Sequence, residues 1–244
     1  MEEIKKNENN VTFAEIKQLL NADWGSGRSL LHFAVFLDDI KLVKLCIQFK
    51  ADVNEIDNYG CTALFFCNSI EIAKFLVDNG TDVNILNIDG DTAVVRLYYK
   101  KGNSDIIKYL AGITNLNIEC GKYNPTTLLD KMISYEEKDL SLFKIVIPRT
   151  KNINRVDNYS RSYLMNAVLN NKYLDVIKFL IESEIDLYLR DQYGKNFYDL
   201  AFKYVQKEIK KNYPEFMKRK DKTEQQRQAL DRSDKLKQLN TISN

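Results

Sequence analysis

A glycine-led phrase returns along this chain about every 33 residues, and that interval limits the fold more than any other property. "GRSLLHFAVFLDDIKLVKLCIQFKADVNEIDNY" (27–59) is followed by "GCTALFFCNSIEIAKFLVDNGTDVNILNID" (60–89) and by "GDTAVVRLYYKKGNSDIIKYL" (90–110). A degenerate copy fills 125–159, a clear one returns at 160–193, and "GKNFYDLAFKY" (194–204) opens the last. The starts are Gly27, Gly60, Gly90, Pro125, Ser160 and Gly194, separated by 33, 30, 35, 35 and 34 residues. A unit this short cannot bury both of its faces alone. Neighbours must stack, and the chain must build a linear array.

Each unit reads as helix, turn, helix and an extended connector. Gly27 supplies the positive φ of a tight turn. Ser29 is placed to cap the first helix, and Thr62, Thr92, Thr127 and Ser162 repeat its position. Leu31 and Ala34 share one helical face. Ile40, Val43, Leu45, Cys46 and Ile47 give the second helix its apolar side. Gly80 stops the second helix of the second unit, and Ser104 caps that of the third. The second unit is three residues short of the first, so its first helix is expected to be short.

These residues resemble the ankyrin-repeat family, whose pattern is roughly G-x-T-P-L-H-x-A, a second helix, then G-A-D-x-N and a β-turn. "GRSLLHFA" with "ADVN", "GCTALFFC" with "GTDVN" and "GKNFYDLA" carry the likeness, which covers about 27–202. The family's helix-start proline is absent, and the fourth unit begins with Asn-Pro and holds Pro148. The resemblance implies an all-α solenoid of helix–turn–helix units with β-turn fingers and a C-terminal helical extension. Residues 1–26 are expected to form an N-terminal capping half-repeat, opened by the capping box "TFAE" and closed by Trp24. Residues 27–204 form the repeat domain of about five and a half units. Residues 205–244 form a charged helix, interrupted at Pro214, and tail.

Charge and cysteine usage narrow the function. The chain carries 36 basic and 34 acidic side chains; 12 basic and 6 acidic lie from Lys203 onward, leaving 24 basic against 28 acidic upstream. The tail offers an alternative reading, nucleic-acid association through 205–237, but acids are interspersed and aromatics are lacking, so nucleic acid is the weaker expectation. Cys46, Cys61, Cys67 and Cys120 form no CxxC pair and His32 is the sole histidine, so neither a metal site nor a cofactor is expected. Cys46 and Cys67 read as core thiols, while Cys61 and Cys120 fall near turns and are expected to be more exposed. The N-terminus has no apolar signal region and no run reaches a membrane span. A reduced, cytoplasmic, monomeric protein without membrane attachment is expected. The phosphate-binding glycine patterns are absent. By the resemblance, His32 bonds the capping hydroxyl of Ser29 and is not a catalytic base.

One turn motif remains. "DNYG" (57–60) recurs as "DNYS" (157–160) and "DQYG" (191–194), which puts Tyr59, Tyr159 and Tyr193 just before a unit start. Asp89 and Asn124 occupy the same slot by counting back from Gly90 and Pro125. In the family, finger tips and outward positions of first helices line one concave surface where partners bind. That implies a contact set of Asn58, Tyr59, Cys61, Ile88, Asp89, Asp91, Asn158, Tyr159, Arg161, Gln192, Tyr193 and Lys195 at the tips. Phe33, Phe66, Arg96, Lys131 and Asn166 fall at the outward first-helix slot. Tyrosine suits such a surface because it brings large area, a polar end and little rotamer entropy. The expected function is non-catalytic binding of a protein partner, in an adaptor, inhibitor or immunity, or effector role.

Overall fold

The computed structural model describes residues 26–122, 125–135, 138–170 and 173–219. Its elements are helical, and among the described residues pairing of extended backbone is limited to two isolated bridges, Cys120 with Thr126 and Val156 with Ser162. In chain order they are α1 (Leu30–Phe36), α2 (Ile40–Gln48), a 3₁₀ turn (Ala63–Phe66), α3 (Ile70–Asp78), α4 (Ala93–Tyr99) and α5 (Ser104–Ile113). Then come α6 (Leu128–Ser134), α7 (Leu140–Val146) with a 3₁₀ end at Ile147–Arg149, α8 (Tyr163–Leu169), α9 (Leu174–Ile181), α10 (Phe197–Leu200) and α11 (Lys203–Asn212). The expected N-terminal half-repeat, with "TFAE" and Trp24, and the tail beyond residue 219 lie outside the described residues.

Second helices are amphipathic because their apolar residues recur at three and four. Ile72, Ala73 and Leu76 are buried in α3, Ile106, Ile107, Leu110 and Ala111 in α5, and Val176, Ile177 and Leu180 in α9. First helices are buried on more of their surface: Leu30, Leu31, His32, Ala34 and Val35 of α1 are all inside. Each must face both its own second helix and the next unit. Such side chains stabilise the array by roughly 1.5–3 kcal/mol each when fully buried.

The chain divides into two compact units. The first takes residues up to Met132 together with Ser141–Lys151. In it α1 packs on α2 and on the 3₁₀ turn, the 3₁₀ turn packs on α4, and the second helices run side by side as α2 on α3 and α3 on α5. The short second unit did shorten its first helix, to the four residues of the 3₁₀ turn. The cap expected at Thr62 is not made: the N–H of Phe65 donates to the Thr62 carbonyl at 3.1 Å, and the buried Thr62 hydroxyl has no partner; Thr92 at the start of α4 makes no side-chain cap bond either. The cap of α5 is Asn103, one residue before the expected Ser104, and its side chain accepts from Asp105 N at 2.9 Å.

The second unit takes Ile133–Leu140 with the chain from Asn152 onward. Here α8 packs against both α9 and α10. Ser162 caps α8 as expected, accepting from Met165 N at 3.4 Å. After α11 the chain turns at Tyr213 and is helical again over 214–219. Phe216 is buried there, with ring centroids 5.1 Å from Phe197 and 5.6 Å from Tyr188. Tyr213 O–H donates to Glu182 Oε1 at 2.9 Å, and burial with that carboxylate pushes its phenol up to about 12.

Asparagines stitch successive connectors. Asn54 Oδ1 accepts from Asp82 N at 2.7 Å, Asn84 from Asn115 N at 2.8 Å, and Asn117 from Lys151 N at 2.9 Å. In the second unit Asn154 accepts from Asp186 N at 2.6 Å. The Asn of the "DVN" phrase therefore satisfies backbone donors that no helix or sheet would. At the next equivalent position stands Tyr188, whose ring packs at a tilt against Phe216 instead and ends the ladder.

Candidate functional site: finger tips and first-helix faces

Each ordinary finger is folded by one Asx side chain. Asp57 Oδ1 accepts from Tyr59 N and Cys61 N, both at 2.9 Å. Asn87 holds Asp89 N at 3.1 Å and Asp91 N at 2.9 Å; Asp157 holds Tyr159 N at 2.8 Å and Arg161 N at 2.9 Å; Asp191 holds Tyr193 N and Lys195 N at 2.9 Å. A carboxylate accepting two backbone N–H groups makes charge-assisted bonds, the stronger kind. The glycine of the turn is required at Gly60, where φ is +71° and an added Cβ would meet Asn87 Cα at 3.1 Å.

Neighbouring fingers touch through main chain. Ile88 N donates to Tyr59 O at 2.9 Å, and Gln192 N to Tyr159 O at 3.1 Å. None of these bonds uses the tyrosine ring. The rings stand out instead: Tyr59 is 49%, Tyr159 53% and Tyr193 67% exposed. The Arg161 guanidinium lies 5.0 Å from the Tyr159 centroid. Asn58, Ile88, Asp89, Asn158, Gln192 and Lys195 are also exposed.

Two tip residues face inward. Cys61 and Asp91 are each only 7% exposed, and Cys120, also expected near the surface, is 2% exposed. Cys61 and Asp91 follow their glycines by one residue and are buried there, whereas Lys195 in the same slot is exposed. Cys61 and Asp91 are withdrawn from the contact surface. Burial pushes both thiols up, and pushes Cys46 and Cys67 up to about 11, so none is a ready thiolate.

His32 ties the first finger pair to the core. Its Nδ1 accepts from Ser29 N at 3.2 Å and meets Ser29 Oγ at 2.9 Å. The ring proton therefore sits on Nε2, which donates to Cys61 O at 2.9 Å. Both nitrogens are engaged in structure, as the resemblance implied.

The fourth finger differs. Cys120 stands where the others carry Asx, and its N–H bonds Thr126 O at 2.8 Å while Thr126 N returns to Cys120 O at 3.0 Å. Five residues separate the pair, against three between Asp57 and Cys61. Lys122 N donates to Asp89 O at 2.7 Å, the bond that Ile88 N makes to Tyr59 O. The next residue is Tyr123, whereas counting back from Pro125 gave Asn124; both lie outside the described residues. Lys131, placed by sequence on the outward face, is only 5% exposed and donates from Nζ to Cys120 O at 3.1 Å. Asn166, at the same slot in the second unit, likewise turns to its own finger, donating to Asp157 Oδ2 at 3.0 Å.

The outward face of the first unit is aromatic and cationic. The Arg28 Cζ lies 4.6 Å and the Lys100 Nζ 5.6 Å from the Phe66 ring centroid. Arg28 also pairs with Asp57 Oδ2 at 3.2 Å. A cleft of about 50 Å³ opens between Arg28, His32, Phe33, Phe36 and Phe66. Sequence reasoning named Phe33, Phe66 and Arg96 but missed Arg28, Phe36 and Lys100. Arg96 and Lys100 are four residues apart on one helical face, a spacing that was there to be read. Among the described residues no group of His, Cys, Asp and Glu could hold a metal ion, and no helix is long and apolar enough to cross a membrane.

A family profile for ankyrin repeats, in three copies, matches residues 6–87. Ankyrin repeat protein OPG025 of vaccinia virus (strain Western Reserve) is 38% identical over 60 residues, 23% of this chain and 10% of that protein. Ankyrin repeat protein OPG189 of variola virus is 23% identical over 180 residues, 69% of this chain and 31% of that protein. The chain thus spans from a tenth to about a third of these relatives. Among solved structures the ankyrin repeat protein EF0377 is 27% identical with a TM-score of 0.59, covering 78% of this chain and 97% of that one. The repeat spacing, the stacked helix–turn–helix units and these matches agree: the chain carries ankyrin repeats and has the ankyrin-repeat fold.

Proposed function

We propose that this chain binds a protein partner, without catalysis, through its finger tips and the outward faces of its first helices. Ankyrin repeats are protein–protein interaction modules, and the repeat is what this chain is built from. The observation that carries the reading is the tip tyrosines. Tyr59, Tyr159 and Tyr193 are about half to two-thirds exposed, although each finger is held by an Asp carboxylate and needs nothing from the ring. A large aromatic kept in water, on a turn fixed by other atoms, offers binding area at small entropic cost.

The side-chain chemistry supports a role without catalysis. His32 has both ring nitrogens committed, and burial holds the four thiols in their protonated form. Whether the role is that of an adaptor, an inhibitor or immunity protein, or an effector follows from the partner. Amide hydrogen exchange on a captured complex tests the surface: added protection should fall on 57–61, 157–161 and 191–195. Protection confined to second helices, with the tips unchanged, would overturn the reading.

A further inference from the structure

We infer that the outward first-helix face of the N-terminal compact unit, built on Phe66 with Arg28, Arg96 and Lys100, receives an acidic segment of the partner protein. Partner carboxylates meet the cations, and an apolar side chain beside them lies on Phe33 and Phe36. The inference rests on the protein-binding reading above and names the chemistry of the partner.

The first ground is geometry. Two cations share one aromatic ring, Arg28 at 4.6 Å and Lys100 at 5.6 Å, and Arg96 lies one helical turn before Lys100. The second is charge balance. Among the described residues Arg28 has a counter-ion, but no carboxylate forms an ion pair with Arg96 or Lys100. Asp57 has no side-chain exposure and is occupied with two backbone donors. Asp91 is buried and feels both Lys131 and Arg96, but it forms no ion pair with Arg96 or Lys100. Burial, with Arg96 and Arg28 close by, holds the Lys100 ammonium below the usual lysine range. The like charges of Arg28, Arg96 and Lys100 oppose one another, and a partner's carboxylates would relieve them.

The third ground is contrast. The residues before Lys203 carry 28 acids against 24 bases, so this basic face stands on an acidic body. A short acidic protein segment fits it. A long polyanion would run onto the surrounding acids. The cleft of about 50 Å³ between Phe33, Phe36 and Phe66 suits the tip of an aliphatic side chain.

The test is fluorescence anisotropy on the full chain with three probes: a labelled peptide of alternating glutamate and leucine, its lysine–leucine counterpart, and a single-stranded oligonucleotide. The glutamate peptide should bind saturably and the other two weakly. Arg96→Glu with Lys100→Glu should weaken it by about tenfold or more, while Lys203→Glu with Lys210→Glu leaves it unchanged. Should charge reversal lower the melting temperature, Arg96→Gln with Lys100→Gln still weakens binding severalfold. Peptide binding indifferent to both pairs overturns the inference, as does tighter oligonucleotide binding through the same residues. A natural partner, captured by the wild type and held equally by the charge-reversed chain, overturns the inference alone. Failure of the wild type to hold any protein specifically overturns the parent reading with it.

Discussion

The finger Asp57–Cys61 and the finger Cys120–Thr126 reach similar main-chain closure by different chemistry. In the first, a buried carboxylate accepts two backbone N–H groups and its other oxygen meets Arg28. In the second, a cysteine has no oxygen to offer. The main-chain carbonyl of Cys120 takes the N–H of Thr126, and the buried Lys131 ammonium donates to that same carbonyl. The unit that looks degenerate in sequence is thus rebuilt around cations. Arg149 extends the pattern: its guanidinium donates to Ala111 O and Thr114 O, carbonyls at the C-terminal end of α5. What repeats in this fold is a set of backbone donors and acceptors that must be satisfied. The side chain that does so can change sign.

The comparison can be broken at either finger. Asp57→Ala leaves two backbone donors and Arg28 without their acceptor and should destabilise by about 3 kcal/mol, measured by urea denaturation. Exchange should speed most at the Tyr59 and Cys61 amides. A loss below about 1 kcal/mol would mean that the carboxylate does not hold the finger. Lys131→Met should destabilise by about 2 kcal/mol, since a neutral carbonyl is the partner and the long stem stays packed. An unchanged midpoint would show that the main-chain bridge closes the long finger alone.

Asp91 sharpens the contrast through pH. Burial raises its carboxyl above the ordinary range, with Lys131 only partly opposing. A carboxyl raised on folding contributes stability below its unfolded value, and that contribution is lost as pH rises through the folded value. The Asp91 contribution should therefore fall as pH climbs from the ordinary carboxyl value through the raised folded one. Asp91→Asn should flatten that decline and give a small gain in melting temperature at neutral pH. A steeper decline in the variant would mean that the Asp91–Lys131 attraction outweighs burial.

Much of this was legible before the structure. The glycine spacing marked the units, and Gly27, Gly60, Gly90 and Gly194 all have positive φ, as does Ser160, which replaces glycine at the start of the fifth unit. The missing three residues of the second unit became a 3₁₀ turn. What failed was direction and register inside fingers. A repeat pattern says that Cys61, Asp91 and Lys195 each follow the turn, but not that the first two are buried there while Lys195 stays exposed. Counting back from Pro125 also hid two extra residues between Cys120 and Thr126, because only the partner of each backbone bond reveals which residues oppose. Lys131 was misplaced for the same reason: a lysine in an outward slot is ordinarily solvated, and only the finger's altered chemistry draws it in.

The central claim is that the atoms holding the fingers and the atoms offered to a partner are different sets. It is tested most directly by the triple variant Tyr59→Ala, Tyr159→Ala, Tyr193→Ala, with partner affinity by titration calorimetry and melting temperature measured on the same preparations. The account predicts affinity weakened by about tenfold or more, with stability within about 0.5 kcal/mol per site of wild type. A large fall in melting temperature with affinity unchanged would contradict it.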